Sequence, residues 1–256
     1  MKRIFIASLL ALTVAFGAVA TGCSGGDNSS STDNSSSKVE SVNDSSADDS
    51  SAAENGNSVD GDFVWNENSC IVNLTEDAAK KSEIVIPENC IDLDIKDLAG
   101  GEDNYFAEND NLESVIFESE NIKGLPEGLF YDDTNLKTVQ LPKKLKRIPE
   151  WCFGNCESLE TVEIPDSVTE IKRLAFQYAG VKEIKIPESV TTVEESVFEW
   201  TKLEKLYLPE SLTSISNSFL AFIDSDKLTI YVKKGSYADE HFADFADRSN
   251  VEKAYY

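Results

Sequence analysis

Side chains able to do chemistry are few in this chain, and their spacing does not suit it. One histidine occurs, His241, so any serine–histidine or cysteine–histidine pair would have to use it. It lies among acids and aromatics near the end of the chain, where a surface or capping role is expected. Cysteines stand at 23, 70, 90, 152 and 156. Zinc asks for about four clustered nitrogen and sulfur ligands, and one distant histidine does not complete such a set. Cys152 and Cys156 flank Phe153, while Ala175 and Ala179 flank Phe176 at matching places. Small buried residues fit there, so both cysteines are expected as core thiols. Cys70 and Cys90 leave a disulfide open in an oxidising compartment, because sequence does not fix connectivity.

Other chemistries fare no better. Gly100-Gly101 lacks the Lys-Ser/Thr that completes a phosphate loop. With 47 acids in 256 residues, no carboxylate pair singles itself out for acid–base work. Glu102-Asp103-Asn104 and Asp224-Ser225-Asp226 offer oxygens to calcium, but neither has EF-hand spacing. The expectation is a protein that is not an enzyme, with no cofactor and no metal. A formal charge of -24 repels nucleic-acid phosphates and anionic headgroups, so no nucleic-acid partner is expected.

The organisation that must carry any function is repetition. Leu141-Pro142, Ile164-Pro165, Ile186-Pro187 and Leu208-Pro209 follow one another at 23, 22 and 22 residues. A period of this length marks a stacked solenoid whose units share one core. In the unit from Leu159 to Phe176, Val162 and Ile164 alternate with Thr161 and Glu163, the period of a half-buried strand. Pro165 lacks an N–H and ends that ladder. Val168 and Ile171 then point inward along a second, shorter extended segment, and Phe176 plugs the far side. The other plugs are Phe130, Phe153, Phe198 and Phe219 or Leu220. A looser copy, Leu112, Val115 and Phe117, carries Glu118 at the proline place. Leu228 and Ile230, each 22 residues after Leu206 and Leu208, begin a last strand. Ser236 and Asp239 have capping-box spacing before Phe242 and Phe245, which predicts a C-terminal helical cap over 236–256. Residues 62–111 read as an irregular N-terminal cap, and 112–235 as the repeats.

Ile164-Pro165-Asp166-Ser167-Val168-Thr169-Glu170-Ile171 with Leu174-Ala175-Phe176, and Phe153-Gly154-Asn155-Cys156-Glu157-Ser158-Leu159, resemble the BspA-like, or Treponema-type, leucine-rich repeat. The resemblance covers about 112–235. It implies a β-rich, right-handed leucine-rich-repeat coil with a parallel sheet on one face and short helical turns on the other. It also implies a surface or secreted bacterial protein; several relatives are adhesins that bind host matrix proteins or other bacteria. The family carries no common catalytic residues.

The N-terminal end of the chain bears on where it works. Lys2 and Arg3 precede an apolar run, Ile4 to Ala20, that exits at Ala20-Thr21-Gly22-Cys23. Basic start, short apolar run and small-residue exit make residues 1–22 a secretory signal. The exit resembles the lipobox of bacterial lipoproteins, which implies cleavage before Cys23 and lipid on that cysteine. Residues 24–61 are mainly Ser, Asp and Asn, a composition that builds no core and predicts a disordered tether. Its average reach would be about 30–37 Å.

Strand side chains that turn away from the core should line up from coil to coil. One column reads Ile116, Gln140, Glu163, Lys185, Tyr207 and Thr229, with Tyr231 close by; its neighbour reads Ser114, Thr138, Thr161, Glu183, Lys205 and Lys227. Glu163–Lys185 and Glu183–Lys205 are set to pair across strands. This face is the expected contact for a protein or glycan partner outside the cell, presented by a monomer held to the bacterial membrane through Cys23. A structural envelope lipoprotein is the alternative, and a solute-binding lipoprotein a further one that a packed coil disfavours.

Overall fold

The computed structural model describes residues 58–93, 106–246 and 248–256. The signal, Cys23, most of the tether and the segments at Gly100-Gly101 and Glu102-Asp103-Asn104 lie outside these residues. The described part opens earlier than the tether boundary predicted. Strand β1 (Ser58–Asp60) pairs antiparallel with β2 (Phe63–Trp65), and β2 pairs with β3 (Ile71–Leu74). The two-residue turn Gly61-Asp62 makes the first pairing feasible, with Gly61 in left-handed backbone at φ 60°. After a 3-10 turn at Ala78–Lys80 comes β4 (Glu83–Ile86).

From β4 onward the coils share one plan. Next in order are β5 (Ser114–Phe117), β6 (Thr138–Gln140), β7 (Arg147–Ile148), β8 (Thr161–Val162) and β9 (Glu170–Ile171). They continue as β10 (Glu183–Lys185), β11 (Thr192–Val193), β12 (Lys205–Tyr207), β13 (Ser214–Ile215) and β14 (Leu228–Val232). Strands β4, β5, β6, β8, β10, β12 and β14 line one side, in two parallel runs, β4-β5-β6-β8 and β10-β12-β14. The short strands β7-β9-β11-β13 make a third parallel sheet, the second extended segment read from Val168 and Ile171.

Proline explains the corner between the two strands of a coil. It cannot donate to the ladder, and its carbonyl accepts the N–H three residues on: Leu145 to Pro142 at 3.1 Å, Val168 to Pro165 at 3.0 Å, Val190 to Pro187 at 3.1 Å. Pro87 makes the same corner with Cys90 at 3.0 Å. Ile84 and Ile86 sit beside Val115 and Phe117 in parallel register. The coil therefore begins one strand earlier than predicted, inside the region read as an irregular cap. The distance from Pro87 to the next equivalent place is longer than one repeat, which hid the match.

Inside, the phenylalanines stack. Phe130, Phe153, Phe176, Phe198 and Phe219 are all fully buried. Ring centroids are 5.7 Å apart from Phe130 to Phe153, 5.2 Å from Phe153 to Phe176 and 5.6 Å from Phe176 to Phe198, with planes within 19°. Phe198 meets Phe219 edge to face, and Phe219 meets Phe245 of the cap the same way. Each ring contributes about 1.5–3 kcal/mol by area alone. Serines tie the coils laterally: the hydroxyls of Ser167, Ser189 and Ser211 donate to the carbonyls of Leu145, Val168 and Val190 at 2.5–2.7 Å.

The C-terminal end mixes expectation and surprise. Helices α1 (Tyr237–Glu240) and α2 (Phe242–Ala246) form as predicted, with the Ser236 hydroxyl accepting the Asp239 N–H at 3.3 Å. The other described residues of 236–256 are not helical. Strand β15 (Val251–Tyr255) adds to β14 in parallel, so a further strand covers the sheet edge. Asp239 joins the two parts, accepting Gly235 N–H, Lys253 Nζ and the Tyr255 hydroxyl at 2.8–3.0 Å. These donors, the Gly235 amide first, hold its carboxyl down at about 2.

Candidate binding surface

The described side chains able to do chemistry are taken up by structure. Cys152 and Cys156 are fully buried, as expected of core thiols. Burial pushes both thiols well up, and Cys156 Sγ donates to the Phe130 carbonyl at 3.0 Å. Cys90 is buried and pushed up to about 11, mainly by burial, and Cys70 is half-buried. His241 Nδ1 lies 3.0 Å from Asp244 Oδ2 and its ring stacks on Tyr237, on the outside of the cap. Among the described residues no group of three His, Cys, Asp or Glu side chains gathers as a metal site.

The outward strand columns form in two runs. In the first, Ile116 sits beside Gln140, and the same register sets Glu163 next to Gln140. Val85 and Glu83 extend the two columns toward the N-terminus, beside Ile116 and Ser114. In the second run Lys185, Tyr207 and Tyr231 stand abreast, with Glu183, Lys205 and Thr229 in the column alongside. Thr229 thus belongs to the neighbouring column, and Tyr231 takes its place. The reason is spacing: Leu206 pairs with Ile230, 24 residues on, and not with Leu228.

The break between the runs falls where the repeat shortens from 23 to 22 residues. Gly180 fits there because a side chain would not: a Cβ on it would come within 2.1 Å of the Glu157 carbonyl oxygen. Strand β8 is only two residues long and pairs with β6 but not with β10. The Glu163–Lys185 pair does not form across the gap, whereas Lys205 Nζ reaches Glu183 Oε2 at 3.0 Å. That bond raises the Lys205 ammonium above its usual value.

The two runs offer different surfaces. Over the first lies an open groove of about 940 Å3, lined by Ser114, Ile116, Thr138, Gln140, Thr161 and Glu163 and also by Lys143, Pro165, Asp166 and Ser167. Hydroxyls, an amide, carboxylates and one ammonium line it, together with Val115, Ile116, Val139, Leu141 and Pro165. Such a lining exchanges hydrogen bonds with a polar, extended ligand. Over the second run the aromatics close on themselves. Tyr207 and Tyr231 stack at 4.4 Å, Tyr256 meets Tyr207 edge on, and the Tyr256 hydroxyl donates to the Leu208 carbonyl at 2.9 Å. Loss of water contact, then Glu183 and Tyr231, raise the Tyr207 phenol above its usual value. Tyr256, which covers Tyr207, had no signal in the sequence beyond being aromatic.

Comparison with known proteins agrees with this architecture. Residues 102–229, half of the chain, match six copies of the BspA type leucine rich repeat region. A leucine-rich repeat protein of Bacteroides ovatus is similar over 68% of this chain and 43% of its own, at 29% identity and TM-score 0.51. A leucine rich cell surface protein of Faecalibacterium prausnitzii is similar over 69% and 48%, at 26% identity and TM-score 0.52. The pneumococcal vaccine antigen PcpA shares the fold, with 14% identity, TM-score 0.57 and coverage of 76% and 46%. The chain thus spans less than half the length of these proteins. No curated protein sequence matches it significantly. The repeats, their proline corners and the phenylalanine stack are those of one family, and the chain belongs to the BspA-type leucine-rich-repeat proteins.

Proposed function

We propose that this protein is a non-catalytic, lipid-anchored surface protein that binds an extracellular protein or glycan through the groove over its first sheet run. The observation that carries the reading is the groove itself. Ile116, Gln140 and Glu163, three outward residues of successive coils, line one open trough of mixed polar and aliphatic character. Solenoids use such extended faces for recognition. Support for the address comes from the Lys2-Arg3 start and Ala20-Thr21-Gly22-Cys23, and from likeness to a cell surface protein of Faecalibacterium prausnitzii. Tyr207 and Tyr231 would then rim the contact rather than anchor it, because Tyr256 and their own stacking occupy them, and Lys185 stands abreast of Tyr207 on the same rim. Thr229, one column over, is a rim residue too.

The test is a screen of the purified chain on glycan and matrix-protein arrays, repeated with Gln140→Ala combined with Glu163→Ala. Loss of the recognised partners with an unchanged melting temperature is expected. If every partner binds the double variant as before, the groove is not the site. Lipid attachment is read separately, by metabolic labelling with a fatty acid; Cys23→Ser should abolish the label and release the chain from the membrane.

A further inference from the structure

Three aromatic side chains stand in a column on the outside of the coil turns, away from the groove. Tyr178, Trp200 and Phe222 are 44%, 41% and 59% exposed. Tyr178 and Trp200 have ring centroids 6.0 Å apart with planes at 6°; Trp200 and Phe222 are at 5.2 Å and 8°. All three hold left-handed backbone, at φ 56°, 58° and 52°. A bulky side chain is a genuine outlier in that region. The same place in the two preceding coils is taken by Asp132 and Asn155, at φ 62° and 60°, the residue types that tolerate it. The later coils thus place large apolar rings where the backbone alone favours asparagine, and the rings face water. Strain and exposed apolar surface together mark a contact site.

We propose that this ridge docks a protein partner whose aliphatic or aromatic side chains are flanked by lysine or arginine. The rings cover one another's faces, so their edges make the ridge. A sugar ring, which lies against an aromatic face, has no face to lie on along its length; an apolar furrow of a protein receives edges well. Charge favours the same partner. Glu199 precedes Trp200, and of the residues two places beyond Asn155, Trp200 and Phe222, Glu157 and Asp224 are exposed acids and Lys202 an exposed base. A second copy would bring acid to acid at a formal charge of -24 per chain, whereas a basic-flanked surface is attracted. Three rings at about half exposure offer roughly 300 Å2. That is the centre of an interface and not the whole of one, so the acidic rim must contribute.

The test is the full chain carrying Tyr178→Asn, Trp200→Asn and Phe222→Asn together. Asparagine relieves the left-handed backbone as the ring stacking is lost, so the melting temperature should hold. The probe is a fluorescent peptide of phenylalanine, leucine and lysine, read by anisotropy beside a control with serine in place of the apolar residues. The apolar peptide should bind the native chain and lose about tenfold or more in affinity to the variant, while the control binds both chains alike. Equal binding of the apolar peptide to both chains overturns the proposal. So does self-association, or glycan-array binding, that the variant abolishes while peptide binding persists. Should the triple variant melt early, Phe222→Asn alone, at the open end of the column, takes its place, and unchanged peptide affinity there overturns the proposal as well. These readouts are independent of the groove.

Discussion

Two aromatic columns run along this molecule at the same spacing, and they behave oppositely. Phe130, Phe153, Phe176 and Phe198 are fully buried, and two residues beyond the last three come Asn155, Tyr178 and Trp200 on the outside. Residue class does not separate the columns. Backbone does: the turn reaches left-handed φ at Asn155, Tyr178 and Trp200, which reverses the direction of the side chain. One residue beyond each outer position comes a third, inward column, Asp133, Cys156, Ala179 and Thr201, all buried. Each closes the turn by donating its N–H to the phenylalanine carbonyl three residues back, at 3.0–3.3 Å. The core column is packed on every side, while the rings of the outer one stack on one another at the surface. Removing a member should therefore cost very different amounts.

The largest effect is expected at Phe176→Ala. It removes a ring stacked on both sides and leaves a cavity that neighbouring coils close only partly, for a loss of about 3–5 kcal/mol. Chemical denaturation measures it; a loss under about 1 kcal/mol would mean the buried column is not the spine of the fold. Gly180→Ala comes next. Its methyl would meet the Glu157 carbonyl oxygen, a backbone atom that cannot swing aside, so about 2–3 kcal/mol is expected from overpacking. An alanine variant as stable as the native chain would show that the coils are freer to separate at the sheet break than the close approach indicates.

Legibility followed the same division. Inward residues were readable because burial imposes period: Val162, Ile184, Leu206 and the phenylalanines recur in step with the prolines. Ile184 and Leu206 stack in register with Ile230, and Val162 with Val139, although the ladder is interrupted between the two pairs. Outward residues carry no such constraint. Thr229 was set in the wrong column because a slip of two residues keeps every side chain on its face. Leu228, Ile230 and Val232 alternate equally well in either register. Strand β15 was hidden because Val251-Glu252-Lys253-Ala254-Tyr255 has neither the proline nor a strong apolar alternation. The exposed ridge escaped because an aromatic residue in a repeat is read as core by default, and left-handed backbone has no signature once asparagine is replaced by tryptophan.

The third column offers a pH-dependent comparison. Asp133 is fully buried; its Oδ1 accepts the Asn109 N–H at 2.8 Å, while its Oδ2 has no hydrogen-bond partner among the described residues. Burial, above all, pushes its carboxyl up to about 8. The folded-state value lies above that of the unfolded chain, so folding takes up a proton between about pH 4 and pH 8. Stability therefore falls as pH rises through that window. Asp133→Asn should remove this slope, keep the bond to Asn109, and stabilise the chain by about 1–2 kcal/mol above pH 8 or so. Thermal melts across pH check it. Parallel profiles for variant and native chain would show that the column does not hold a neutral acid.

The smallest effect tests whether the outer column is a column at all. Asn155 is the next place in line from Tyr178, and its Nδ2 donates to the Tyr131 hydroxyl and Asp132 Oδ1 at 3.3 and 3.2 Å. Asn155→Tyr gives up those bonds and adds left-handed strain, but gains a ring face on Tyr178. If rings in this column support one another, Asn155→Tyr should be better tolerated beside native Tyr178 than beside Tyr178→Asn. The difference expected is a coupling of about 0.5–1.5 kcal/mol. A double-mutant cycle by denaturation reads it directly. Coupling near zero would leave Tyr178, Trp200 and Phe222 as three separate exposed rings, and the contrast with the buried stack would then be one of burial alone.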